Sequence, residues 1–160
     1  FIKALPQLER AYTIAQDDPE LIVRLAYCLA EIKKDPQAAL KILQSSTMKF
    51  PDYARTYYQL GFIAFRNGSP KDQENIRQGL AFTRKAAQLD SSNFEIIDNL
   101  GMYHSMLGNH DSALFWFERA VRIDPQYPQL IDRIAGTRKL IAERAGADSS
   151  LAADTLEIGY

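Results

Sequence analysis

The sequence predicts an all-α fold, a solenoid of antiparallel helix pairs. Apolar residues recur three and four positions apart along the chain, as in Leu21, Leu25, Cys28, Leu29 and Ile32, and again in Ala113, Leu114, Phe117, Ala120 and Val121. No window alternates apolar and polar residues long enough to argue a strand. Turn signals cut this pattern into short segments: Asp17-Asp18-Pro19, Asp35-Pro36, Phe50-Pro51-Asp52, Asn67-Gly68-Ser69-Pro70, Asp90-Ser91-Ser92, Gly108-Asn109-His110-Asp111 and Asp124-Pro125. The segments also repeat. Ala11, Ser46, Ala86 and Ala120 are followed 14 residues later by Leu25, Leu60, Leu100 and Ile134, and each of these by a small residue: Ala26, Gly61, Gly101 and Ala135. Small residues at fixed points let paired helices approach closely, while larger ones fill the gap between pairs.

Taken in order, residues 1–17 are the second helix of an interrupted repeat, with Phe1, Ile2, Leu5 and Leu8 on its apolar side. The chain starts with Phe1 rather than Met, inside this helical pattern, and reads as a piece of a longer protein. Residues 18–52 form a repeat, 53–92 a second with six extra residues between its helices, and 93–127 a third. In the second, Ser69 suits an N-cap, Pro70 the first helical position and Asp72 the first turn, so one helix is expected over 70–89. Gly79 inside it points to close packing, since Gly costs ~1 kcal/mol against Ala in a helix. The extra turns are either a tolerated extension or a contact surface carrying Lys71, Glu74 and Arg77. Residues 128–145 form a capping helix: Ile131, Ile134 and Ala135 begin it like a repeat, but Arg138, Lys139, Glu143 and Arg144 lie on the face a further repeat would cover. A break at 145–150 and a tail, 146–160, follow.

The third repeat carries a family resemblance. Ile97-x2-Leu100-Gly101-x2-His104, then Ala113-x3-Phe117-x2-Ala120, then Pro125 resembles a tetratricopeptide repeat, whose pattern is W-x2-L-G-x2-Y, A-x3-F and P over 34 residues. Ile97 replaces the Trp and His104 the Tyr. The step from Ala86 to Ala120 is 34. The preceding repeat is degenerate, with Tyr57, Leu60, Gly61, Gly79, Thr83 and Ala86, and Ser91 at the Pro position. The first full repeat is weaker: Ile22, Leu25, Ala26, Leu29, Ala39, Leu43, Ser46 and Pro51, with one extra residue near Asp35. Ala4, Leu8 and Ala11 match only the second half of a repeat. The resemblance reaches to about Ala145 and implies a right-handed superhelix whose first helices line a concave face.

Composition narrows the chemistry. Of 160 residues 46% are hydrophobic, enough to bury a core. Lys plus Arg total 19 and Asp plus Glu 20, a net charge of −1, which argues against nucleic acid as partner because phosphate affinity needs clustered cations. No apolar run approaches the ~18 residues of a membrane span, so no membrane insertion is expected. The single cysteine, Cys28, excludes an internal disulfide and fits a reducing compartment such as the cytoplasm, with the periplasm as the alternative. Two histidines, His104 and His110, and one distant cysteine do not make a zinc set. His104 reads as a packed, hydrogen-bonded core residue, His110 as a solvated or capping one, and Cys28 as buried packing. Asp17-Asp18 and Glu95/Asp98 read as helix N-terminal charges. No phosphate loop or nucleophile elbow is present. The chain is therefore read as non-enzymatic, with no cofactor and no metal.

The resemblance also implies a peptide-binding groove. Its positions would hold Glu20, Val23 and Tyr27, then Arg55, Tyr58, Phe62 and Phe65, then Glu95, Asp98, Asn99 and Met102, and finally Gln129, Asp132 and Arg133. The expected site is Tyr27, Arg55, Tyr58, Phe62, Phe65, Asn99, Met102 and Arg133, because exposed aromatic and Met side chains are typical interface anchors. Family members that clamp chaperone C-termini use Lys, Asn and Arg at positions held here by Val23, Tyr27, Gln59, Glu95 and Asn99. One repeat later the same positions hold Tyr58, Phe62, Asn99, Gln129 and Arg133. Cations are too few in either register, so an apolar or mixed segment of a protein partner is expected, with Asn99 bonding its backbone. Two alternatives stand beside this adaptor role. One is self-association through the terminal helices, with Phe1, Ile2, Leu5 and Tyr12 available. The other is service as the docking part of a larger enzyme.

Overall fold

Acidic and amide side chains start most of the helices, and proline often follows. Asp18 accepts from the backbone N–H of Glu20 and Leu21 at 2.9 and 3.2 Å, with Pro19 next in the chain. Asp35 does the same for Ala38 at 2.9 Å, ahead of Pro36. Asn93 accepts from Ile96 N–H at 3.3 Å. Each such bond satisfies one of the unpaired amides of a first turn. The computed structural model describes residues 5–69 and 72–157, with side chains to residue 147. Among these it has eight α-helices and no strand: α1 (Leu5–Ile14), α2 (Pro19–Glu31), α3 (Pro36–Lys49), α4 (Ala54–Asn67), α5 (Gln73–Leu89), α6 (Phe94–Met106), α7 (His110–Ile123) and α8 (Pro128–Glu157). Each helix packs on its sequence neighbour, and α2 also meets α4. The result is the all-α solenoid of packed helix pairs that the sequence predicts.

The interior is divided into three clusters. Leu5, Leu25 and Cys28 join α1 to α2. Val23, Ala26, Ala39, Leu43, Leu60 and Ile63 join α2, α3 and α4. Ile76, Leu80, Ile97, Leu100, Tyr103, Ala113, Phe117, Ala120 and Leu130 join α5 through α8. The small residues work as close-approach points. A Cβ on Gly101 would lie 2.5 Å from the Phe117 ring, and one on Gly79 2.9 Å from Cζ of Tyr103. Glycine is therefore required there by the neighbouring ring, as expected for Gly79.

Three expectations need correction. The helix expected over 70–89 begins at Gln73 instead, and its cap is Asp72 rather than Ser69: Asp72 accepts from Glu74 N–H at 2.9 Å and from Asn75 Nδ2 at 3.0 Å. Ser69 serves a turn before it, its carbonyl accepting from Asp72 N–H at 2.9 Å. Pro70 and Lys71 lie outside the described residues, and Glu74 and Arg77 are exposed. The break at 145–150 is absent, and α8 runs on through the expected tail to Glu157. Finally, Leu5 is buried against α2 and is not available for stacking, whereas Tyr12 packs there half-buried; Phe1 and Ile2 lie outside the described residues. The polar residues of α8 tie it back to α7: Arg138 donates to Glu118 and Arg144 to Asp111, each at 2.8 Å.

Candidate functional site

The helical stagger of α2 and α4 leaves a concavity of about 480 Å³ between them, closed at its sides by Leu8 of α1 and Glu95 of α6. Its apolar lining is Leu8, Val23, Tyr27, Cys28, Tyr58 and Phe62. Tyr27 is exposed, whereas Tyr58 and Phe62 are half-buried. Four residues expected at the site thus line one concavity, Tyr27 from α2 and Arg55, Tyr58 and Phe62 from α4.

Much of the polar lining is engaged with itself, the Glu95 carboxylate excepted. Glu20 receives Arg24 Nε at 2.8 Å, Arg55 at 3.1 and 3.2 Å, and the Tyr53 hydroxyl at 2.6 Å. Burial pushes the Glu20 carboxyl up, but the bonds from Tyr53 and Arg24 and the charge of Arg55 outweigh it and hold the group below the usual carboxylate range. Tyr58 accepts from Asn99 Nδ2 at 3.1 Å, and Asn99 also donates to the Glu95 carbonyl at 2.8 Å. Burial, followed by the Glu95 charge, pushes the Tyr58 phenol up to about 12, so it stays protonated. Both amide hydrogens of Asn99 are therefore spent within the protein, which leaves its Oδ1 as the atom for a partner's backbone. Phe62 has Arg66 stacked over its ring at 5.4 Å. Gln59 is a second exception. It is 7% exposed, it lines the concavity, and its Nε2 has no acceptor. Leaving a buried amide unpaired costs ~1–3 kcal/mol.

The other expected residues lie elsewhere. Phe65 turns toward the core and meets Tyr103 edge-on, with ring centroids 5.4 Å apart. Met102 and Arg133 line a second concavity of about 370 Å³ between α6 and α8, with Met106, Phe117 and Leu140. Arg133 is paired there with Asp98. Seven of the eight residues thus fall into two concavities and a core contact rather than one continuous strip, and Asn99 touches the first concavity only through its bond to Tyr58. Leu8, Arg24 and Cys28 line the first concavity without having been placed in the groove from sequence, and Gln59 stood only among the chaperone-clamp positions. Arg24 is legible as the i+4 partner of Glu20.

The residues weighed for chemistry behave as packing groups. Cys28 is buried, and burial pushes its thiol up. His104 is buried with Nε2 3.3 Å from Arg84 Nη2; burial first, then the Arg84 charge, pull its imidazole below the ordinary range. Its Nδ1 has no partner. His110 differs from expectation: it is half-buried at the start of α7 with an unpaired Nδ1, and Asn109 holds the cap position. Among the described residues no group of three or more His, Cys, Asp or Glu is placed to hold a metal, and no helix is long and apolar enough to cross a membrane.

Residues 94–127 match the family model of the tetratricopeptide repeat. No curated protein matches the chain in sequence. Solved structures match it in fold. MamA superposes with a TM-score of 0.71 at 18% identity, over 98% of this chain and 90% of that one. TTC0263, a thermophilic TPR protein of Thermus thermophilus, gives 0.70 at 22% identity, over 96% and 80%. The first TPR of Spaghetti (RPAP3), bound to the HSP90 peptide SRMEEVD, gives 0.68 at 11% identity, over 78% and 95%. Likenesses this distant establish the architecture.

Proposed function

Starting from a chain that is a tetratricopeptide-repeat solenoid, with its repeat signature at residues 94–127, we propose a non-catalytic protein-interaction module that receives an extended segment or helix of a partner protein on its concave side. The observation that carries this reading is the α2–α4 concavity, where Tyr27, Tyr58 and Phe62 gather around Val23 without a helix of this chain filling the space. Each anchor that a partner buries there contributes on the order of 1.5–3 kcal/mol. The first TPR of Spaghetti holds a peptide in its solved structure, and that precedent for the fold supports the same use here. The chemistry of the ligand differs, however: SRMEEVD is acidic, whereas this groove sets Glu20 and Glu95 beside Arg24 and Arg55, and Glu20 takes one nitrogen of each arginine. Phe65, Asn99, Met102 and Arg133 contribute support and a second contact region rather than the anchor itself.

The test is affinity capture from source-cell lysate with the wild-type chain and with Phe62→Glu, after circular dichroism has established equal helix content. A protein retained by the wild type and lost by the variant supports the groove. Equal recovery from both moves the function off this face.

Self-association is the second reading, favoured by one observation. Val121, Ile131 and Ile134 line an open cleft between α7 and α8, and Ile131 is 67% exposed. Light scattering against concentration tests it: a mass that rises favours stacking through this end, and a constant monomer removes it.

A further inference from the structure

We infer that the α2–α4 concavity takes an extended partner segment of mixed charge, which presents an apolar anchor together with a carboxylate for Arg24 and Arg55 and a cation for Glu95. This rests on the groove reading above and specifies its ligand.

The two arginines are the first ground. Arg24 gives its Nε to Glu20 at 2.8 Å, and Arg55 gives its Nη1 to both Glu20 oxygens at 3.1 and 3.2 Å. Among the described residues, both Nη groups of Arg24 and the Nη2 of Arg55 have no acceptor. The two side chains are 67% and 51% exposed, so these donors face solvent. Within the lining, two guanidinium groups thus share one carboxylate and leave an excess of positive charge. A partner carboxylate can bond to the open nitrogens while Glu20 keeps its own bonds.

Glu95 is the second ground. It lines the same concavity from α6 and is exposed. Only its backbone carbonyl is engaged, by Asn99. Its place in the first turn of α6 suits the helix dipole and leaves both carboxylate oxygens open. Tyr58 lies within reach of both charges. After burial, the Glu95 charge pushes its phenol up, and the Arg55 charge pulls it down. The concavity is therefore positive on its α2–α4 side and negative on its α6 side. A segment of one sign meets a like charge at one side or the other, whereas a mixed segment meets neither.

Spacing is the third. Packed helices lie about 8–10 Å apart, and an extended chain advances about 3.3 Å per residue. The carboxylate and the cation therefore fall about three residues apart, with the apolar side chain seated against Val23, Tyr27 and Phe62.

The experiment is selection of random displayed dodecapeptides on the whole chain. The winning peptide is then titrated against wild type, Glu95→Gln, Glu95→Lys, Arg24→Gln and Phe62→Glu, each checked for helix content by circular dichroism. The inference expects winners that share one Leu, Ile, Met or Phe with an acidic and a basic residue about three positions apart. Glu95→Gln and Arg24→Gln should each weaken binding about threefold, the scale of partly exposed charge pairs. Each loss should vanish in a peptide whose matching charge is replaced by Ala. Glu95→Lys should prefer the peptide whose base is replaced by Glu. Winners with a single sign of charge or none overturn the inference. So do unchanged affinity in Glu95→Gln or Arg24→Gln, losses that persist in the neutralised peptides, and a Glu95→Lys variant that still prefers the base. These outcomes leave the groove reading standing if Phe62→Glu still abolishes binding. Peptide binding that survives Phe62→Glu, or no enrichment on the wild type, overturns both.

Discussion

Arg133 on α8 pairs with Asp98 on α6, 35 positions earlier in the chain, and its guanidinium also lies 5.9 Å from the centre of the Phe117 ring. Asp98 is 6% exposed, so its carboxylate depends on this one cation. Removing the cation is expected to be worse than removing both charges. Arg133→Met should lower unfolding free energy by about 2–3 kcal/mol, less than for a fully enclosed pair because Arg133 keeps some solvent contact. The double variant Asp98→Leu with Arg133→Met should recover part of the loss. Urea denaturation of the three proteins measures it.

Gly101 and Phe117 set the spacing of α6 and α7. An added methyl 2.5 Å from the ring must push a side chain that is 2% exposed. Gly101→Ala gains helix propensity but overpacks this contact. The expected net destabilisation is about 1–3 kcal/mol, read by the same denaturation experiment.

Phe62 and Phe65 stand one helical turn apart with opposite tasks. Phe65→Ala should lower stability by about 2 kcal/mol through its lost contact with Tyr103. Phe62→Glu should keep the helical circular dichroism signal and lose partner binding. A binding loss in Phe65→Ala equal to that of Phe62→Glu would contradict this division.

His104 confers acid sensitivity. Its folded imidazole is held below the ordinary value of 6.5, so the folded state binds fewer protons than the unfolded one. The neutral imidazole's contribution is complete above 6.5 and is lost as pH falls toward the lower folded value. Wild type should lose more thermal stability than His104→Gln between about pH 7.5 and about pH 5.5. Glu20 gives a separate window. Its contribution is complete above the ordinary 4.5 and is lost as pH falls through its lowered folded value.

Asp72 begins α5 through its bond to Glu74 N–H. Asp72→Ala should cost about 1 kcal/mol, while Ser69→Ala should cost much less. Thermal melts of the two variants distinguish the cap from its neighbour.

The helix pairs were legible because spacing alone encodes them: Leu100-Gly101 and Ala113-Phe117-Ala120 place a ring over a glycine where two helices cross. The start of α5 was not, because Ser69 and Asp72 are both competent caps and only the turn between them decides. Nor was the length of α8, where Gly146 and the serines that follow look like a stop although Ala-rich sequence tolerates a helix. At the groove, side-chain type identified Tyr27, Tyr58 and Phe62. What remained hidden was pairing. That Asn99 donates to Tyr58, and that Phe65 turns inward onto Tyr103, depend on groups tens of residues away.

The three interior clusters form a row stitched together by shared side chains, Leu29 and Ile42 between the first two, and Phe65 and Phe82 across α4 and α5. The α2–α4 concavity draws its walls from all along this row: Leu8 and Cys28 at the first cluster, Val23 and Phe62 at the second, and Glu95 on the helix that carries the third. An occupant would therefore act as a rivet, raising the unfolding temperature of the whole row as its concentration rises.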